Sequence, residues 1–349
     1  MEVIKDRVIF HIKKNNRPQP KWGGQYPHVV EDKIYYELQH PSEICYVTFD
    51  GDNTSKPNNN IILKDSLGAN NFRVFIDTNP NILPEEKYKA IGGYHVSNDH
   101  GELVGLMESQ QRFCFDPVWP KESKDIIKDD FYHPRHANGL YIFKSRDGIN
   151  WSEYHTFPIF SRFTKCVDSN DENLPEGTIG FDWMPSIFFD HNINEYVIYI
   201  RANITLGCRH VLYSKSTDLI NWSTPRLINC DPVFDIENKQ NFYYAGVYPI
   251  KDKYIAFPPH FTNKILDAEG NHRTYTNACT HVMISSDGIN WKTVDKIFQS
   301  STGGHMTFPH VVSFEQKEQY TLYVHEGFGT DDNKLVSYKV RKEEIECFL

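Results

Sequence analysis

Apolar residues along the chain fall in short runs broken by Asp, Asn, Gly or Lys, and no long stretch keeps the 3.6-residue period of an amphipathic helix. The runs come in pairs. Pro27-His28-Val29-Val30 is followed by Ile34-Tyr35-Tyr36, Pro185 to Phe189 by Tyr196 to Tyr199, and Pro309-His310-Val311-Val312 by Tyr320 to Tyr323. Two further pairs deviate in detail: Asn71 to Ile76 with Tyr88 to Ile91, and Gly246 to Ile250 with Tyr254 to Phe257. Each pair predicts an antiparallel hairpin, because β-branched and aromatic runs bounded by polar turn residues suit strands.

A second repeat lies between the hairpins. Ser145-Arg146-Asp147-Gly148-Ile149-Asn150-Trp151 recurs as Ser216-Thr217-Asp218-Leu219-Ile220-Asn221-Trp222 and as Ser285-Ser286-Asp287-Gly288-Ile289-Asn290-Trp291. Each copy follows a strand (Gly139 to Lys144, His210 to Lys215, Thr280 to Ile284) and precedes another, so Asp-Gly or Asp-Leu supplies a turn and Trp the first buried residue of an outer strand, and Trp151, Trp222 and Trp291 are expected to be equivalent and buried. A weaker copy, Thr48-Phe49-Asp50-Gly51-Asp52, lacks the tryptophan. Units of about 70 residues built from four strands each predict an all-β, five-bladed β-propeller filling residues 1–349 as a single domain. The last blade offers only Leu335 to Val340 beyond its hairpin, while Val3 to Ile12 has no blade of its own. The N-terminal strand is therefore expected to complete the last blade and close the ring, removing open sheet edges. The spacing between the first two Asp turns is too long, and the surplus falls in 97–138, an inserted segment expected to fold as a lid.

Composition narrows the chemistry. A formal net charge of −9 without a basic run argues against nucleic acid as a partner. Seven cysteines, odd in number and without CxxC spacing, read as reduced thiols. No signal-peptide core and no bilayer-length apolar run is visible, so the expectation is a cytoplasmic protein with no membrane partner. Oligomeric state is not legible.

The segment from Asn71-Phe72-Arg73-Val74-Phe75-Ile76-Asp77-Thr78-Asn79-Pro80 to Pro84-Glu85-Glu86-Lys87-Tyr88-Lys89-Ala90-Ile91-Gly92-Gly93 resembles glycoside-hydrolase-like five-bladed propeller proteins. More broadly, the blades resemble those of the arabinanase/xylosidase and invertase superfamily (glycoside hydrolase families 43 and 32). The resemblance implies a carbohydrate or glycoconjugate partner, bound in an axial funnel that opens where inner strands begin and second strands end. Inner-strand starts present Tyr26, Asn70, Asn71, Asp182, Trp183, Tyr243 and Tyr244; second-strand ends present Glu37, His95, Arg201, His260 and Glu326.

Hydrolysis of a glycosidic bond uses two carboxyl groups. The resemblance implies an Asp from the first blade and a Glu from a later one, yet Tyr26 stands before Pro27 and Tyr243-Tyr244 stands where the Glu is expected. Asp182 is the candidate carboxylate in its implied place, with Glu326 or Glu37 opposite and Arg201 placed to grip an acid group. Asn70, Asn71, Trp183, Tyr243, Tyr244, Tyr26, His95 and His260 supply the aromatic faces and polar rims that sugars require. No cofactor is expected. An axial ion near His28 and His310 is one reading of their equivalent positions, since some related hydrolases carry a metal on the axis; hydrogen-bonded strand histidines are the other. The function expected is a glycoside hydrolase, with a non-catalytic glycan-binding propeller that has lost its acid–base pair as the alternative.

Overall fold

The structure, a computed structural model, describes the chain apart from residues 13–24, 39–42, 65–69, 94–138, 156–157, 162–163, 176, 182–183, 205–208, 233–239, 264–274, 303–307 and 329. Asp182, Trp183, His95, the side chain of Asn70 and the segment 97–138 thus lie outside the described residues.

The described strands form five sheets, taken here in order of their hairpins. The first runs Gln25–Val30, Lys33–Leu38, Glu43–Phe49 and Thr54–Ser55, and the second Asn70–Ile76, Tyr88–Gly93, Gly139–Ser145 and Ser152–Glu153. The third contains Ser186–Asp190, Glu195–Asn203, Arg209–Ser216 and Arg226–Leu227, and the fourth is built on Val247–Ile250, Lys253–Ala256, Tyr275–Ser285 and Asn290–Thr302. The fifth has His310–Gln316, Tyr320–Glu326 and Lys334–Val340, and its outermost strand is Ile4–His11, paired antiparallel with Lys334–Val340. All five hairpins read from the sequence are present, and the architecture is an all-β propeller. Among the described residues no helix is long and apolar enough to cross a membrane.

Packing on both sides explains why second strands are rich in apolar residues on both faces. Every residue of Lys33–Leu38 is buried. Tyr35 packs toward the second sheet with Tyr46, Val74, Tyr88 and Phe143, whereas Ile34 and Tyr36 pack toward the fifth with Val312, Tyr323 and Leu335. Alternation sends odd and even residues to different neighbours, and both destinations are dry. Further clusters join the second sheet to the third (Phe75, Ile91, Ile142 with Ile187, Phe189, Ile198), the third to the fourth (Tyr199, Val211 with Val247, Met283) and the fourth to the fifth (Ile250, Val282 with Leu322, Val336). Burying one such side chain stabilises by roughly 1.5–3 kcal/mol.

The three Ser-x-Asp turns are the same object. Ser145 Oγ accepts from Gly148 N at 3.0 Å, Asp147 Oδ1 accepts from Ile149 N and Asn150 N at 2.8 Å each, and Trp151 Nε1 donates to Gly148 O at 3.2 Å. The turns at Ser216 and Ser285 repeat each of these bonds. The expectation that all three tryptophans are buried holds for Trp291 alone: Trp151 and Trp222 make the same turn contact but are only partly buried, packed at the edges of their clusters. Asp50 makes the same two acceptor contacts, with Asp52 N and Asn53 N, without a tryptophan. The fourth residue of the turn sits at positive φ: Gly148 at 73°, Leu219 at 66° and Gly288 at 77°.

Neighbouring sheets are also tied by hydroxyls. Tyr35 OH donates to Gly148 O at 3.0 Å and Tyr199 OH to Gly288 O at 2.9 Å. Tyr88 donates to Glu31, Tyr196 to Asp77 at 2.8 Å and Tyr254 to Asp190, one at each of three successive interfaces. Asp77, part of the most recognisable sequence motif, is thereby buried against Lys89 Nζ at 3.0 Å as a structural tie.

Candidate functional site

Tyr26 and Asn71 are each the second residue of the first strand of their sheet, and both adopt φ 54° immediately before a register shift. Such a bulge bends the strand end and re-aims its side chains. Asn71 N donates to Glu37 Oε2 at 2.7 Å, and Asn71 Nδ2 donates to Phe181 O at 2.7 Å. Asn71 Oδ1 is buried and has no hydrogen-bond partner among the described residues. A chain of polar contacts therefore runs from Glu37 in the first sheet, through Asn71 in the second, to the residue preceding Asp182 at the third.

The path continues around the third, fourth and fifth sheets. Gly180 pairs with Arg201, whose buried guanidinium lies 4.3 Å from the centre of the Tyr243 ring. Arg209 lies 5.3 Å from the same ring, and its backbone amide donates to Asn241 Oδ1 at 2.9 Å. The face of an aromatic ring carries negative potential, so two guanidiniums beside one tyrosine form an attractive cation–π set. On the fifth sheet, the His310 ring stacks with Tyr243 at 6.1 Å between centroids. Glu37, Asn71, Arg201, Tyr243 and His310, one from each sheet, thus lie along one arc at the strand ends, with the Gly180-Phe181 backbone as the link between Asn71 and Arg201.

Two of the aromatic candidates are committed to packing. Tyr244 is buried, its hydroxyl donates to Val311 O, and burial raises its pKa well above the ordinary value. Tyr26 is buried with its ring stacked on Phe328 at 6.0 Å. His260 is half-buried in the fourth sheet beside Phe242 and His281, off the arc.

The two glutamates are not brought together. Glu326 is ion-paired with Lys5 at 2.9 Å, with Lys334 at 3.9 Å, and accepts from Tyr338 OH. The reason is strand parity. Glu326 shares a face with Leu322 and Val324, which pack toward the fourth sheet, whereas Glu37 shares a face with Tyr35, which packs toward the second. Ending a second strand brings a residue to the right rim but does not choose which neighbour it faces.

The reading of an axial ion at His28 and His310 also needs correction at His28. Its Nε2 accepts from Val74 N at 3.0 Å, so the proton sits on Nδ1, which donates to Tyr26 O at 3.2 Å. Both ring nitrogens are used, leaving no lone pair for a metal. Burial, with Arg73 as a lesser cause, lowers its pKa well below the ordinary value and keeps it neutral. First-strand contacts between sheets nearby are made by protein groups: Arg73 Nη1 of the second sheet donates to Val312 O of the fifth at 2.6 Å, and Val29 N of the first to Ser313 Oγ of the fifth at 2.9 Å.

Several members of this region were missed in the sequence. Arg209 starts a third strand, and antiparallel pairing with Asn203 puts third-strand starts at the same rim as second-strand ends; inspecting those positions too would have found it. Cys279 and His281 stand as Cys-Thr-His in a strand, where a period of two puts both on one face.

No family model and no curated protein matches the sequence. Solved structures do match over nearly the whole length. One described as a glycoside hydrolase aligns with TM-score 0.55 at 10% identity over 96% of this chain and 91% of its own. An N-acetylgalactosamine deacetylase from F. plautii, in complex with blood group B trisaccharide, aligns with TM-score 0.53 at 12% identity over 99% and 97%. An α-L-arabinofuranosidase from Fusarium graminearum, in complex with an iminosugar inhibitor, aligns with TM-score 0.51 at 10% identity over 98% and 99%. At these identities the likeness is one of fold, a β-propeller.

Proposed function

We propose that this chain is a single-domain, five-bladed β-propeller that acts on carbohydrate as a glycoside hydrolase. The pair of carboxyl groups is assigned to Asp182 and Glu37, and residues 97–138 to a cover over the axial mouth. The blade count rests on five sheets whose apolar clusters join each to the next and the fifth to the first. The observation that carries the function is the hydrogen-bonded path Glu37–Asn71–Phe181, which ties a buried carboxylate of the first sheet to the neighbour of Asp182. In this reading Glu37 is a held carboxylate and the free Asn71 Oδ1 accepts a sugar hydroxyl. Arg201 and Arg209 on Tyr243 present a cationic edge beside an aromatic face. Trp183, Asn70 and His95 are assigned to the rim by their sequence positions alone. The trisaccharide and the iminosugar inhibitor held by two of the similar structures support a carbohydrate ligand.

Tyr26 and Tyr244 favour the second reading, a glycan-binding propeller without turnover, because both stand where the resembling hydrolases carry acids and both are packed. A panel of chromogenic glycosides and a glycan array, run with the wild type, Asp182→Asn and Glu37→Gln, separates the two. Hydrolysis lost at least a hundredfold in each variant supports the enzyme. Binding without turnover in the wild type supports the second reading, and neither binding nor turnover rejects both.

A further inference from the structure

In the fourth sheet His260 lies directly opposite Cys279 across an antiparallel pair, and His281 follows Cys279 by two residues on the same strand. All three side chains therefore project from one face. Their donor atoms lie within 4.8 Å of one another, with Cys279 Sγ 4.0 Å from His260 Nδ1 and the two imidazole centres 4.7 Å apart. Two imidazoles and a thiol are the donor set of borderline-soft cations such as zinc. Tetrahedral zinc would bring sulfur and nitrogen to about 3.5 Å, so the Cys279–His260 pair has to close by about half an ångström.

A second observation points at a ligand. His281 is only 5% exposed, and its Nδ1 lies 3.0 Å from Thr293 Oγ1. With the Nδ1 proton on that hydroxyl, Nε2 carries a lone pair; it is buried without a hydrogen-bond partner among the described residues. Buried polar atoms are nearly always satisfied, and a metal-ligating histidine characteristically has its other nitrogen oriented by a hydrogen bond. Phe242 closes the inner side, its ring 5.5 Å from His260 and 5.2 Å from His281, while half-buried His260 gives access from outside.

We propose that His260, Cys279 and His281 form a zinc(II)-class metal site, distinct from the axial arc, with three protein ligands and a fourth position open to water or a small ligand. Binding releases the Cys279 proton to solvent and leaves the metal bound to thiolate and two neutral imidazoles.

The test uses full-length protein freed of metal by chelation. Zinc(II) is titrated against a chromogenic chelator, and cobalt(II) is added separately to read its thiolate-to-metal charge-transfer band. The expected result is one tight equivalent with that band, a band lost in Cys279→Ser, and at least tenfold weaker zinc binding in His281→Gln. In the wild type, zinc should also protect Cys279 from iodoacetamide, read on its peptide by mass spectrometry, which needs no variant to fold. Zinc that leaves Cys279 alkylation unchanged, or a cobalt band retained in Cys279→Ser, overturns the assignment.

Discussion

The outer turns and the inner strand ends obey opposite rules. At the turns, Ser145, Ser216 and Ser285 each open the same set of hydrogen bonds, closed by Trp151, Trp222 and Trp291. At the inner ends no two sheets present the same chemistry: Glu37, Asn71, Arg201, Tyr243 and His310 meet there, one from each sheet. Repetition marks positions where every blade solves the same backbone problem. Divergence marks positions free to specialise, because the neighbours already supply the fold.

The largest expected difference between these regions is in pH response. His28, His210 and His325 are held below the ordinary imidazole value by burial, His210 and His325 to about 4. Below 6.5 the unfolded chain takes up protons that the folded chain refuses, so stability falls as pH drops from 6.5 toward 4. By pH 5 the sum is on the order of several kcal/mol. At the turns, burial pushes Asp147 and Asp218 up, but amide hydrogen bonds outweigh it and bring each to about 2. Their contribution is lost only between pH 3.8 and about 2. Urea unfolding at pH 7, 5 and 3.5 checks this, and equal stability at pH 7 and 5 would remove the histidine account.

The next effect is steric. Gly288 has φ 77°, and a Cβ there would meet Tyr199 Oη at 2.6 Å. Gly288→Ala should destabilise by roughly 1–3 kcal/mol in thermal unfolding, with ligand binding unchanged once folded. A neutral result would mean that the turn is more adaptable than Leu219, at φ 66° in the middle copy, already implies.

Asp147→Ala removes the acceptor shared by two exposed amides and should cost about 1 kcal/mol. The same change at Asp218 should match it, since the bonds match. Unequal losses would show that the copies are less alike energetically than geometrically.

The smallest stability effect sharpens the comparison most. Glu326→Gln weakens a pair with the half-exposed Lys5, keeps the polar contact to Tyr338, and should change stability by about 1 kcal/mol or less and leave glycan turnover or binding intact. Glu37→Gln should instead impair function. If both variants behave alike in a glycan assay, strand parity is not what separates them.

Periodicity and turn chemistry by themselves determined the five hairpins, the equivalence of the Ser-x-Asp turns and the pairing of the N-terminal strand with the last sheet. These depend on local patterns of one to seven residues that any copy of the blade must repeat. Sequence position also put Glu37, Asn71, Arg201 and Tyr243 at one rim. Tertiary structure alone decided which of them meet. Strand parity turned Glu326 toward Lys5 and Tyr338, and hydrogen bonding consumed both nitrogens of His28. Antiparallel register set His260 against Cys279 and His281. Each outcome depends on contacts between residues far apart in the chain, and a one-dimensional pattern says which end of a strand a side chain occupies before it says which neighbour that side chain will face.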